Sequence, residues 1–293
     1  MKKGELTKKL IESNSSLFMC PLCGKGMSFI KTNSLLCQNK HNFDISKDGY
    51  INLLVKQVRS DYNKKLFKSR KIMIQSGFFD PMLRVISDLI IEGNLNISIS
   101  KINILDAGCG EGSHLINIIS NLEKRNICSL GIGIDISKEG IHAASKQYAN
   151  AIWCVADLSK IPFQNNQFDI ILNILSPANY SEFERVLKTG GLLIKVIPSM
   201  KYLIELRDVL FEGTSKHTYS NDRVINHFDD NFGIVNNQQI IYKACLNNEN
   251  IEHLINMTPL TWNADREKIA ELINKDIKRI TVAFDVVVGQ KRR

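Results

Sequence analysis

A chain of 293 residues with 44% apolar and 23% charged side chains reads as an ordinary globular protein, with room for about two domains. No stretch approaches ~18 uninterrupted apolar residues, and the Lys-rich start is not followed by the apolar run of a signal peptide, which argues against a membrane span or secretion. The net charge of +8 suits a polyanionic partner, because phosphates attract Lys and Arg without sequence recognition, although such a charge also serves solubility alone.

The chain is expected to stay in the cytoplasm. Seven cysteines there point to metal ligands or catalytic groups rather than disulfides. By texture the chain divides at residues 1–54, 55–100 and 101–293.

The first segment is Cys-rich and turn-rich. Cys20 and Cys23 form a C-x2-C knuckle, followed after 13 residues by Cys37 and after three more by His41. Zn²⁺ takes four N or S ligands at tetrahedral corners, and this set leaves no open position, so the expected site is structural. A segment this small buries little core, so metal binding would supply its folding energy. Unligated cysteines or a redox pair are the competing reading. Cys109, Cys128, Cys154 and Cys245 stand apart from the cluster.

Residues 55–82 read as a basic helical bridge. Lys56, Arg59, Lys64, Lys65, Lys68, Arg70 and Lys71 face a single acid, Asp61, with Tyr62 and Phe67 between them. Such a face suits phosphates and unpaired bases, and equally suits a solvated linker.

From Ile102 onward, apolar strands alternate with helical runs, which predicts βαβ units and a parallel sheet. Strands are expected at Ile102–Asp106, Leu130–Asp135, Ala151–Val155, Phe168–Ile174, Gly191–Val196 and Thr281–Val288. Helices are expected around Ser113–Lys124, Lys138–Tyr148 and Tyr180–Leu187. Residues 213–250, rich in Asn, read as a polar surface insertion of mixed structure.

The first strand runs into Asp106-Ala107-Gly108-Cys109-Gly110-Glu111-Gly112. Glycines there let a ligand approach the backbone, and the following helix offers free N–H groups. The spacing is D-x-G-x-G-x-G, not the G-x-G-x-x-G of dinucleotide sites. It resembles the first motif of class I S-adenosylmethionine (SAM) methyltransferases. In such a fold Asp135, ending the second strand, would accept the ribose hydroxyls. Asp157, just after the third, would reach the adenine amino group. Helix capping is the alternative use of either acid.

The run from His41 through Gly49-Tyr50-Ile51-Asn52-Leu53-Leu54 resembles the end of the zinc module in RlmA-type enzymes. Those are bacterial methyltransferases of guanine N1 in 23S ribosomal RNA. Ile161-Pro162-Phe163, Phe168-Asp169, Ser176-Pro177 and Met257-Thr258-Pro259-Leu260-Thr261-Trp262 extend the resemblance over essentially the whole chain.

The resemblance implies an α/β fold, with a small N-terminal zinc-binding module before a Rossmann-like class I methyltransferase domain. SAM and structural Zn²⁺ are the implied cofactors. It implies SAM contacts from Phe79, Asp106, Gly108, Gly110, Glu111, Gly112, Asp135, Asp157 and Tyr202. It further implies a target in a 23S rRNA hairpin near the peptide exit tunnel, dimers, and in some relatives macrolide resistance.

Guanine N1 carries a proton on the pairing edge, so the base must leave its helix. The segment after the fourth strand offers Asn173, Ser176 and Asn179 to such a base, or these are ordinary loop polarity. A small-molecule methyltransferase with a zinc appendage, a non-catalytic RNA-binding protein and an NAD-linked enzyme are the alternatives.

Overall fold

The computed structural model describes residues 3–56, 64–93, 101–214, 220–262, 264–275 and 277–291. Helix α1 (Lys3–Ser13) leads into a small antiparallel sheet of β1 (Met27–Ile30), β2 (Ser34–Cys37) and β3 (Asn42–Asp44). Next come β4 (Tyr50–Asn52), α2 (Lys64–Gln75) and α3 (Asp80–Gly93). Arg59, Asp61 and Tyr62 of the expected basic bridge lie outside the described residues.

Five strands follow, with a helix between each pair except β7 and β8: β5 (Ile102–Ala107), α4 (Ser113–Glu123), β6 (Ser129–Asp135), α5 (Lys138–Gln147), β7 (Ala151–Val155), β8 (Phe168–Ile174), α6 (Tyr180–Val186) and β9 (Leu187–Pro198). The C-terminal part adds α7 (Ile204–Phe211), α8 (Asp222–Asn231), β10 (Gly233–Cys245), α9 (Asn248–Met257), α10 (Arg266–Asn274) and β11 (Arg279–Gln290).

Eight strands form one sheet in the order β10-β11-β9-β8-β5-β6-β7-β4. Strands β4 to β9 run parallel, while β11 and β10 are antiparallel additions. The central strands read as near-continuous apolar runs because helices cover both faces. The chain leaves β5 toward β6 on one side and returns as β8 on the other. The carboxyl ends of β5, β6 and β8 therefore open onto the crevice where ligands bind in such sheets.

The N-terminal segment is not a free appendage. β4 pairs in parallel with β7, and the Leu53 N–H donates to the Val155 carbonyl at 2.8 Å. Phe18 forms a bridge with Phe163 and packs on its ring at 5.2 Å, and Phe163 meets Phe168 edge-on at 5.2 Å. Ile11, Phe18, Leu35 and Ile51 share one buried cluster with Leu105, Ile132 and Ile171 of the central strands. Each buried ring at that seam contributes roughly 1.5–3 kcal/mol.

Residues 213–250 differ from expectation. They supply α8 and the 13-residue β10, which pairs along nearly all of β11. From Gln238 to Cys245 every second residue turns inward, with Ile240, Tyr242 and Ala244 against the core. An edge strand buries one face only, so its Asn and Gln residues hide a period of two.

Candidate functional site

Two sites emerge, one for a metal and one for a nucleotide-like ligand. In the first, Cys20, Cys23, Cys37 and His41 bring their ligand atoms within 4.8 Å of one another. Cys20 Sγ and Cys37 Sγ each lie 3.5 Å from His41 Nδ1, and Cys23 Sγ is 3.7 Å from Cys37 Sγ. Bonds of about 2.3 Å to sulfur and about 2.0 Å to imidazole put tetrahedral corners about 3.5–3.8 Å apart. Three ligand pairs stand at that spacing and none exceeds 4.8 Å, so the four groups suit zinc. The Lys25 N–H points at Cys23 and pulls its thiol below the ordinary value, which favours the thiolate that a metal needs.

At the second site, the glycine loop bends sharply between β5 and α4. Gly108, Gly110 and Gly112 have φ of 88°, 57° and 83°, a region costly for any other residue. A Cβ on Gly108 would collide with the Ser176 hydroxyl, and one on Gly112 with the Trp153 ring. The loop is buttressed by the acids around it. Asp135 accepts from the Gly110 N–H at 2.8 Å and the Ser137 N–H at 2.7 Å. Glu111, buried just before α4, accepts from the Ser113 N–H at 3.2 Å and from its hydroxyl.

Two cavities meet above this loop. The first, about 300 Å³, is lined by Asp106, His114, Phe79, Tyr202 and Met257-Thr258-Pro259, among others. The second, about 230 Å³, is lined by Phe67, Asp135, Ile136, Asp157 and Leu158. Arg70, Gly108, Leu175, Ser176 and Pro177 belong to both. An elongated ligand can therefore run from one to the other across Gly108.

Known proteins carry the same combination. A family model described as a methyltransferase domain matches residues 99–272, and one described as RlmA, N-terminal, matches residues 18–61. YxjB of Bacillus subtilis, named as a 23S rRNA (guanine-N1)-methyltransferase, is 40% identical over 94% of this chain and 98% of its own length. The chain belongs to the 23S rRNA (guanine-N1)-methyltransferase family. A second relative, the 23S rRNA (guanine(748)-N1)-methyltransferase of Streptomyces fradiae, is 25% identical over 87% of this chain and 89% of its own.

Within this methyltransferase, burial raises the proton affinity of three cleft acids, and two of them raise that of the third. Burial, then Asp135 and Glu111, push the Asp106 carboxyl up to about 8, against a partial offset from Arg70. Burial likewise raises Glu111 and Asp135. Burial, then the Arg70 charge, push His114 down to about 3, so its imidazole is neutral.

Of the residues offered for a target base, only Ser176 lines the cavities. Asn173 is fully buried, and its amide donates to the Ala107 carbonyl at 3.1 Å and the Pro177 carbonyl at 2.8 Å. Its oxygen accepts from Lys195 Nζ at 2.6 Å. It ties the end of β5 to the loop after β8 and has no edge left for a base. Asn179 caps α6, accepting from the Glu182 N–H at 3.3 Å.

Phe79 and Tyr202 both line the first cavity and both pack on Phe284. Gly110, Glu111 and Gly112 shape the loop from behind. His114 and Lys195 have no site role in the sequence reading, and Arg70 enters it only as part of the basic bridge. His114 carried the one local signal, its place in the first turn after the glycine loop.

Proposed function

We propose that this protein transfers a methyl group from SAM to N1 of a guanine in 23S rRNA, in a hairpin near the peptide exit tunnel. One observation carries the reading: a complete four-ligand metal cluster sits in a ribbon whose last strand, β4, continues the sheet that ends in the ligand cleft. Relatives named for rRNA guanine-N1 methylation match over nearly the full chain.

SAM supplies a methyl group on a sulfonium, a strong electrophile, so the chain's contribution is placement. The adenosine end belongs in the second cavity. There Asp135 faces the ribose hydroxyls, Asp157 the adenine edge, and Ile136 and Leu158 give apolar walls. The target guanine enters the first cavity between Ser176-Pro177 and Met257-Thr258-Pro259. Lys195, held to Asn173 and within 3.4 Å of the Ser176 carbonyl, keeps that loop in place over Gly108. The exposed Lys64, Lys65 and Lys68 of α2 lie outside the cleft, where phosphates would meet them. A homodimer and a cytoplasmic location belong to the same reading.

Primer extension on 23S rRNA tests it, because a methyl on N1 blocks pairing and stops the polymerase. One stop present in the parent strain should vanish when the gene is deleted and return with purified protein and SAM. Identical stops in parent and deletion strain would refute the reading.

A further inference from the structure

Lys195 is a cation in the middle of the sheet, 5% exposed, on β9 between β8 and β11. Its register partner on β11 is Val287, and Leu193 and Ile197 share its face of the strand, so its neighbours along the strands are apolar. Among the described residues no carboxylate pairs with it. Burial lowers its ammonium to about 8, so at neutral pH it still holds its proton. An unpaired buried cation is costly, and an apolar side chain of similar length avoids that cost. Stability therefore does not account for this lysine.

Its contacts give a different reason. The ammonium donates to Asn173 Oδ1 at 2.6 Å and to the Ser176 carbonyl at 3.4 Å. Asn173 is the register partner of Lys195 on β8, so the two side chains meet on one face of the sheet. Asn173 in turn donates to the carbonyls of Ala107, just before Gly108, and of Pro177. One cation thus ties together the end of β5, the segment after β8, and β9.

The tied segment is strained. Leu175 has a φ of 53°, a conformation that a residue with a side chain keeps only where its surroundings over-determine it. Its N–H is held by the Val196 carbonyl at 3.0 Å. Leu175, Ser176 and Pro177 form a wall common to both cavities, and Lys195 lines neither.

We propose that Lys195 is a positioning residue for methyl transfer: with Asn173 it fixes the Leu175-Ser176-Pro177 wall between the two ligands. Its contribution falls on the transfer step. A wall displaced by about 1 Å spoils the alignment of reacting atoms far more than it weakens either ligand. This rests on the reading that the paired cavities receive the cofactor and a guanine of 23S rRNA.

The test pairs two measurements. One is single-turnover methylation of 23S rRNA from a deletion strain, with SAM and protein in excess. The other is calorimetry with S-adenosylhomocysteine. Lys195→Met should lower the saturated rate at least about thirtyfold, while S-adenosylhomocysteine affinity and the protein concentration for half-maximal rate stay within about threefold. Lys195→Gln, which keeps an N–H donor in the core, should recover part of the rate, and it carries the same comparison if Lys195→Met does not fold. Asn173→Ala should lower the rate at least as much, and adding Lys195→Met to it should cost less than about threefold more, because the two act through one chain of contacts.

A wild-type saturated rate in Lys195→Met overturns the assignment. So does a loss of S-adenosylhomocysteine affinity as large as the loss of rate, or full multiplication of the two losses in the double variant. Wild-type protein that binds S-adenosylhomocysteine and methylates no 23S rRNA removes the functional reading, and the assignment with it.

Discussion

Replacing Asp106 by Asn should uncouple cofactor affinity from pH. In the free protein this carboxyl is pushed up to about 8 by burial and by Asp135 and Glu111. At pH 6 only about one molecule in a hundred carries the charge, and at pH 8 about half do. If the ammonium at the methionine end of the cofactor binds the ionised form, the proton must leave first. Affinity for S-adenosylhomocysteine then rises with pH, by at least about tenfold from pH 6 to pH 8.

His114, held near 3, does not titrate in that window. Calorimetry at pH 6, 7 and 8, in two buffers of different ionisation enthalpy, reads both the affinity and the released proton. At pH 6 close to one proton should leave per ligand bound. Asp106→Asn should bind more weakly at pH 8 and show a flat profile. Wild-type affinity that stays constant from pH 6 to 8, with no proton released, would refute the reasoning.

The metal site predicts one zinc per chain by emission spectroscopy. Chelation should lower the melting temperature by at least about 5 °C, because Phe18, Leu35 and Ile51 of the ribbon share a core with the central strands; an unchanged melting curve would contradict that seam. Phe163→Ala removes the ring between Phe18 and Phe168. It should cost about 3–5 kcal/mol in denaturant unfolding. Gly108→Ala places a methyl on the Ser176 hydroxyl at a φ of 88°. Calorimetry should show at least a tenfold loss of S-adenosylhomocysteine affinity, and Ser176→Ala in the same chain should restore part of it.

What the sequence determined on its own is local. Cys20 and Cys23 sit on one knuckle and Cys37 and His41 on one turn, so spacing alone exposed the cluster. Gly108, Gly110 and Gly112 announce their backbone shape because few other residues tolerate it. Apolar runs bounded by turns marked β5 to β9 for the same reason, each being buried on both faces by its own composition.

What only the tertiary structure decided involves residues distant in the chain. Arg70 reaches the glycine loop because α2 packs over it, and no motif records that approach. Asn173 looked available in the sequence and is consumed by Ala107, Pro177 and Lys195. β4 and β10 are edge strands with short or half-polar patterns, so their pairing partners reveal them and their composition does not. A contact between segments far apart leaves no trace in the local pattern of either, which is why the crevice was legible and the approach of Arg70 to it was not.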